Sequence, residues 1–175
     1  MEKKVSTRTI FEGKVVKLVE DEVVIDEDKH TKREVVIHHG GACIALKNHD
    51  GKYFLVKQYR YAQGCDMLEF CAGKLEAGEN PDQAIIREAR EELGYHVKNL
   101  IKLGEMIPTC AYSTEHIHLY YGEADEYVGC DFDEDERIST VELSYQELVE
   151  MIKDNQIIDA KTMCIVQKIA LLGLA

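Results

Sequence analysis

The chain has no stretch approaching the roughly 18–20 consecutive apolar residues that a membrane-spanning helix needs, so no membrane association is expected. It has no basic run either. With 21 Lys and Arg against 33 Asp and Glu the formal net charge is -12, and a nucleic-acid binder, which presents a basic patch, is not expected. No two cysteines stand in a C-x-x-C pair: Cys43, Cys65, Cys71, Cys110, Cys130 and Cys164 are scattered. That spacing disfavours a zinc ribbon or a thioredoxin-like site. No apolar run follows the lysines of Met1-Glu2-Lys3-Lys4-Val5-Ser6, so no signal peptide is expected. A cytoplasmic protein with reduced, mostly structural thiols is the resulting expectation. There is no internal repeat or low-complexity segment, and only two prolines occur. What remains is a soluble globular composition, 45% hydrophobic and 31% charged. Its 175 residues suffice for one domain, or one domain with a small appendage, without disulfide or metal staples. The acidic balance still admits a phosphorylated small substrate, because bound divalent cations would reverse the local field.

The first forty residues alternate as strands do. Phe11 to Glu20, Glu22 to Asp26 and Arg33 to His38 read as three strands, too few to bury a core alone. We divide the chain at this point, with residues 1–39 as an N-terminal β meander and residues 40–175 as the main domain. Strands are expected over Ala42 to Lys47 and Tyr53 to Tyr59, joined by the turn Asn48-His49-Asp50-Gly51, and over Met67 to Ala72. The clearest helix follows. Asn80 is its N-cap, Pro81 its first residue, Gln83 the partner in a capping box, and Gly94 its C-terminal stop. Ile85, Ala89 and Leu93, with Ile86 beside them, form the apolar face. Val97 to Met106, Glu115 to Ala124 and Ile138 to Leu143 read as further strands. Asp125 to Arg137 reads as an acidic loop, and helices are expected from Ser144 to about Lys153 and from Ala160 to Leu172. The order implies an α/β, or α+β, sandwich with a mixed sheet between helices.

The chemistry concentrates on the first helix. Glu88, Glu91 and Glu92 stand at i, i+3 and i+4, within an arc of roughly 100°. Carboxylates so close repel one another, and each like-charge pair at this spacing costs a helix a few tenths of a kcal/mol. A hard divalent cation turns the repulsion into ligation. Mg²⁺ takes oxygen ligands, keeps several waters and fills its shell with phosphate oxygens. A solvated acidic face, with Arg87 and Glu91 as an i, i+4 pair, is the bland alternative for these residues taken alone.

The surrounding residues decide against the bland alternative. The run Gly73-Lys74-Leu75-Glu76-Ala77-Gly78-Glu79, followed by Asn80-Pro81-Asp82-Gln83-Ala84-Ile85-Ile86 and Arg87-Glu88-Ala89-Arg90-Glu91-Glu92-Leu93-Gly94-Tyr95, resembles the Nudix box, G-x5-E-x7-R-E-U-x-E-E-x-G-U. Every fixed position is met. The resemblance implies a Nudix fold and a metal-dependent hydrolase that cuts a pyrophosphate bond. It implies Glu88, Glu91, Glu92 and the carbonyl of Ala72 as metal ligands, and Arg87 as the residue that orients the acidic side chains. The implied cofactor is Mg²⁺, with Mn²⁺ as the alternative. Outside the box, Gln58-Tyr59-Arg60, Leu68-Glu69-Phe70-Cys71-Ala72-Gly73-Lys74, Arg33-Glu34-Val35-Val36-Ile37-His38 and Asp159-Ala160-Lys161-Thr162 are similar to segments of the ADP-ribose pyrophosphatase subfamily. That likeness implies a nucleoside diphosphate sugar as the small-molecule substrate, with Arg60, Glu69 and Glu115 in its binding site, and a homodimer. It also implies a catalytic base from the acidic loop, Glu136 first and Glu134 second, with Glu91 next. Where the subfamily carries Ser-Pro-Gly, this chain has Thr109-Cys110-Ala111, which loosens the assignment to ADP-ribose.

Other signals are weaker. Asp131-Phe132-Asp133-Glu134-Asp135-Glu136 begins like a calcium loop, but the sixth position requires glycine and holds Glu136. His116 and His118 share a strand face and are expected to be an ordinary strand pair rather than metal ligands. Lys74 and Lys161 are isolated basic residues, which are more often solvated than bound to phosphate. Other nucleotide sugars, NADH and dinucleoside polyphosphates are the rival substrates. A nucleotide sensor without catalysis is the rival of another class, and it would not need every box carboxylate.

Overall fold

Ala42, Ile44 and Leu46 face one way along a strand and Cys43 and Ala45 the other, and all five are fully buried. A strand with both faces apolar must lie inside a sheet that is covered on both sides. The computed structural model describes residues 1–26, 28–132 and 137–175. Its strands are β1 (Lys3–Glu12), β2 (Lys17–Ile25), β3 (Lys29–Ile37), β4 (Gly41–Lys47), β5 (Tyr53–Arg60), β6 (Cys65–Glu69), β7 (Cys71–Lys74), β8 (Tyr95–Met106), β9 (Ile117–Tyr127) and β10 (Ile138–Leu143). Its helices are α1 (Pro81–Glu88), α2 (Tyr145–Lys153) and α3 (Ala160–Leu172), and a π turn, Ala89–Leu93, prolongs α1. The chain divides into two compact units, Met1–Gly40 with Ile107–His116, and Gly41–Met106 with Ile117–Ala175.

The larger unit holds a mixed sheet in the order β10-β5-β4-β9-β8, with β4 and β9 parallel. Cys43, Ala45, Tyr53, Leu55, Phe70 and Leu119 pack with Leu148 of α2 and with Ile165, Val166 and Ile169 of α3. Ala42, Ile44, Leu46, Phe54, Val56 and Tyr120 pack on the opposite face with Ile85, Ala89 and Leu93. The sheet is therefore sandwiched between α1 and the α2–α3 pair. Ile86, read from the sequence as part of the apolar face, is 40% exposed.

The sheet forks. β4 and β5 pair only at Leu46 with Phe54 and Lys47 with Tyr53, next to their hairpin. Beyond that point β4 pairs with β7, and β5 pairs with β6. The single strand expected over Met67 to Ala72 is thus two strands interrupted at Phe70, which changes partner between them. The fork gathers Arg60 at the end of β5, Glu69 at the end of β6 and Ala72 in β7.

The smaller unit is an antiparallel meander, β1-β2-β3, joined by residues 107–116. The amide of Val36 donates to the carbonyl of Tyr112 and that of Thr114 to Val36. The turn after β1 runs from Gly13 to Val16, closed by Gly13 N donating to Val16 O at 3.0 Å. The expected strand from Phe11 to Glu20 crosses that turn and is corrected here. Val15 and Val16 carry the apolar alternation through the bend, while β1 is exposed along its whole length and shows no buried face to read.

Charged cross-strand pairs hold this meander. A hydrogen bond from Lys32 keeps Glu20 below its ordinary value of 4.5, one from Thr7 keeps Asp21 below 3.8, and one from His30 keeps Glu22 below 4.5. A depressed carboxylate contributes stability that is complete above its unfolded pKa and lost as pH falls through its folded pKa. Amides of β1–β3 should therefore exchange with solvent more readily at about pH 3 than at about pH 6, after correction for intrinsic rates. Equal protection at both values would contradict this account.

Candidate active site

Asn80 caps α1 by accepting from Asp82 N at 2.8 Å, and Gln83 N donates to the Asn80 carbonyl at 3.0 Å. Asn80 therefore caps through Asp82 N, where the sequence suggested a box closed by Gln83. Asp82 also accepts from the Tyr120 hydroxyl at 2.6 Å, which ties the helix start to the central sheet. After Glu88 the helix widens into the π turn. At 3.6 residues per turn Glu92, seven residues after Ile85, would point straight into the apolar face. The wider turn holds the rotation back. It keeps Leu93 in line with Ile85 and Ala89, and it turns Glu92 toward the side that carries Glu88. Such single π turns recur at functional sites.

Glu92 is nonetheless 5% exposed. The acidic arc is thus not uniformly solvated. The Cys71 thiol, pushed well up by burial first and then by the charge of Glu92, hydrogen-bonds to that carboxylate. Two residues along β7, Glu88 lies across Gly73. A Cβ built on Gly73 would sit 1.8 Å from Glu88 Oε1 and 2.4 Å from its Cγ. Only a residue without a side chain lets the carboxylate rest there. Glu92 at Cys71 and Glu88 at Gly73 thus bracket Ala72.

Arg87 gathers the other charges. Its guanidinium meets Glu79 at 3.3 and 3.4 Å, Glu88 at 3.0 Å and Glu91 at 2.9 Å. Burial alone would lower the Arg87 pKa, but Glu79, Glu88 and Glu91 raise it further above its ordinary value, so the side chain stays charged. Glu79 accepts in turn from the Glu76 amide at 2.9 Å. A hydrogen bond from Glu76 first, and Arg87 second among the stabilising contacts, keeps its carboxyl ionised below the usual range.

Among the described residues no group of three or more His, Cys, Asp or Glu side chains is arranged to hold a metal ion by itself. The donor set is hard oxygen throughout, and the Gly73 cradle leaves room for one more carboxylate oxygen beside the chain. The residues fit a divalent cation.

Residues 128–131 close the far end of the helix. Val128 N donates to Gly94 O at 2.7 Å, Asp131 N to Glu91 O at 2.9 Å, and Cys130 Sγ lies 3.5 Å from Glu92 O. Carbonyls that a helix end leaves unpaired are satisfied in this way. Gly94, with φ +78°, sits too close to Tyr127 and Gly129 to carry a Cβ. The acidic segment therefore starts from the same turn that carries Glu91 and Glu92. Glu134 and Glu136 lie outside the described residues.

Arg60 and Glu69 meet at the fork. Glu69 is 2% exposed, and its Oε1 accepts from Arg60 Nε at 2.5 Å. Its Oε2 accepts from Lys161, which also donates to Asp159 Oδ1 at 2.8 Å. Asp159 caps α3 by accepting from Thr162 N and Oγ1, and Phe70 N donates to Thr162 Oγ1 at 2.9 Å. Lys161 is therefore neither solvated nor open to a phosphate, as the sequence alone allowed. Burial pulls its pKa down, and Cys43, Asp159 and Glu69 outweigh that effect and raise it. Lys74 is exposed. Glu115 belongs to the smaller unit, where its carboxylate lies 3.6 Å from His38 Nδ1. That nitrogen accepts from Gly40 N at 3.0 Å. His118 Nδ1 lies 3.2 Å from Glu105, its partner across β8 and β9.

The sequence reading missed the buried ion-pair quartet, the Gly73 cradle, and the docking of residues 128–131. The Asp159 to Thr162 spacing was a readable helix start. The other two features depend on residues far apart in the chain.

The NUDIX domain family matches residues 37–164. A methanol dehydrogenase activator from Bacillus methanolicus is 36% identical over 97% of this chain and 93% of its own length. An ADP-ribose pyrophosphatase from Bacillus subtilis is 31% identical over the same shares. A GDP-mannose pyrophosphatase from Yersinia enterocolitica is 40% identical over 81% of this chain and 79% of its own. The crystal structure of an ADP compounds hydrolase superposes with a TM-score of 0.85 at 14% identity, covering 98% of this chain and 93% of that one. The chain belongs to the Nudix family, with a Nudix hydrolase's mixed-sheet sandwich and box.

The Gly73 cradle yields a direct test. Gly73→Ala should displace Glu88, the flexible partner in that contact, and lower kcat/KM by about a hundredfold, as misplacement of a reacting group by about 1 Å does. The thermal midpoint should move by no more than a few degrees. A variant of unchanged activity would refute the role of the cradle.

Proposed function

We propose that the chain hydrolyses the pyrophosphate bond of a nucleoside diphosphate sugar with Mg²⁺, or Mn²⁺, and that ADP-ribose is its substrate, giving AMP and ribose 5-phosphate. The observation that carries this reading is the meeting of Glu88 and Glu92 on either side of Ala72, with Glu91 and Arg87 beside them. Glu88, Glu91, Glu92 and the Ala72 carbonyl are the residues that would hold the metal. When bound, the cation supplies positive charge against the pyrophosphate oxygens. Arg87 keeps the crowded carboxylates ionised and in place. Arg60 meets a substrate phosphate through a charge-assisted bond, and Glu115 accepts from a ribose hydroxyl. A water oxygen attacks one phosphorus, the bond to the bridging oxygen breaks, and the proton passes to a carboxylate of the acidic loop, Glu136 first and Glu134 second.

The relative named an ADP-ribose pyrophosphatase supports the substrate, since the likeness runs through 97% of this chain. A second reading, GDP-mannose, is favoured by the 40% identity to a pyrophosphatase of that name and by Thr109-Cys110-Ala111. Cys110 and Ala111 leave that loop less rigid than proline would. The dimer belongs to the proposal as well. Val5, Ile10 and Phe11 of β1 are 55%, 47% and 57% exposed, and a second copy of the chain would cover them. Among the described residues no helix is long and apolar enough to cross a membrane. All six cysteines are free, which fits a reducing, cytoplasmic setting.

Glu92→Gln should reduce turnover by orders of magnitude while the thermal midpoint holds or rises, because burying a charge among like charges costs stability. A variant that stays active at limiting Mg²⁺ would defeat the assignment. In competition at equal concentrations, kcat/KM for ADP-ribose should exceed that for GDP-mannose, UDP-glucose and diadenosine polyphosphates by about tenfold. A preference for any of the three would overturn the substrate and leave the pyrophosphate chemistry standing. Light scattering at micromolar concentration should report a dimer, and a monomer would contradict that part of the reading.

A further inference from the structure

We infer that Lys161 and Asp159 are positioning residues for substrate recognition. They fix the Glu69 carboxylate, and through it they aim the Arg60 guanidinium at the phosphates. The inference rests on the pyrophosphatase reading above.

The geometry begins with Glu69, whose two oxygens serve different cations: Oε1 takes Arg60 Nε, and Oε2 takes Lys161. An arginine facing a carboxylate often settles into a two-bond, fork-to-fork contact. Here Lys161 takes Oε2, and the Arg60 bond runs from Nε to Oε1. Arg60 engages Glu69 through Nε, a mode that leaves the terminal nitrogens for another oxyanion. Its side chain is 38% exposed, against 13% for Lys161 and 2% for Glu69. Arg60 is thus the member of the network most open to solvent.

Asp159 makes Lys161 a fixed point. Its Oδ2 is bound to Thr162 N and Oγ1 at the first turn of α3, and its Oδ1 holds the ammonium. Thr162 Oγ1 also takes the Phe70 amide, the residue next to Glu69. The start of α3 therefore grips the side chain of one residue and the backbone of its neighbour where β6 gives way to β7. Buried ion pairs add little net stability, since desolvation offsets attraction. A network of two cations and two anions, most open to solvent at an arginine, is better explained by what that arginine does.

The test compares Lys161→Met, Arg60→Ala and the double variant with the wild-type protein, using ADP-ribose and GDP-mannose with Mg²⁺. Lys161→Met should raise KM by about tenfold with kcat changed less than about threefold, and the double variant should match Arg60→Ala alone. Lys161→Arg should recover part of the loss. Circular dichroism and the thermal midpoint check folding. If Lys161→Met does not fold, Asp159→Asn takes its place: it keeps a good helix cap but frees Lys161 to draw Glu69 away from Arg60, with the same expected non-additivity. Effects on KM that add to those of Arg60→Ala, or an unchanged KM, overturn the positioning role. A wild-type protein that turns over neither nucleotide overturns the pyrophosphatase reading, and this assignment with it.

Discussion

Negative charge crowded onto one helical turn has to be held against its own repulsion, and the architecture of the larger unit follows from how this is done. Glu88, Glu91 and Glu92 fall within five consecutive residues, little more than one turn of backbone. A single guanidinium, that of Arg87, draws Glu88 and Glu91 to itself and reaches back to Glu79 in the loop before the helix. Glu92, on the same side as Glu88, is buried beside β7, where the Cys71 thiol meets it. The charges are thereby divided between an arginine on one side and the backbone of a strand on the other. A divalent cation, whose attraction for oxygen exceeds that of any side chain present, would complete the arrangement.

The strand can serve this purpose because the sheet forks. Had β4 and β5 stayed paired along their length, β6 and β7 would have no edge to join. Parting after Leu46 and Lys47 opens both edges, and Phe70 crosses between them with its ring buried in the core. Arg60, Glu69, Ala72 and Gly73 then lie within one short stretch of the sheet. Helix α3 grips that stretch through Thr162 and Lys161, and the segment ending at Asp131 grips the other end of the site through the carbonyls of Glu91 and Glu92. Local order at the site thus comes from both faces of the sandwich.

Much of this was legible in the sequence. The box spacing, the capping residues of α1 and α3, and the apolar positions Ile85, Ala89 and Leu93 all report on neighbours within four residues, where helix geometry alone decides the contact. The burial of Glu92 was not legible, because the π turn takes it out of the Ile85 register and Cys71 of β7 meets it. Strand β1 was misread because an exposed strand has no buried face to impose a pattern, and Val15 and Val16 continued the apolar alternation through the turn.

By itself the sequence determined the helix, its charges, the family and the kind of chemistry, because each depends on residue types at fixed short intervals. Only the tertiary structure decided which partners those residues take. Gly73 under Glu88, Lys161 beside Glu69 and Asp131 on Glu91 join positions 15, 92 and 40 residues apart. Nothing in a local pattern specifies such pairs. They arise when the two faces of the sheet are covered, and burial then favours pairing of the polar groups brought inside.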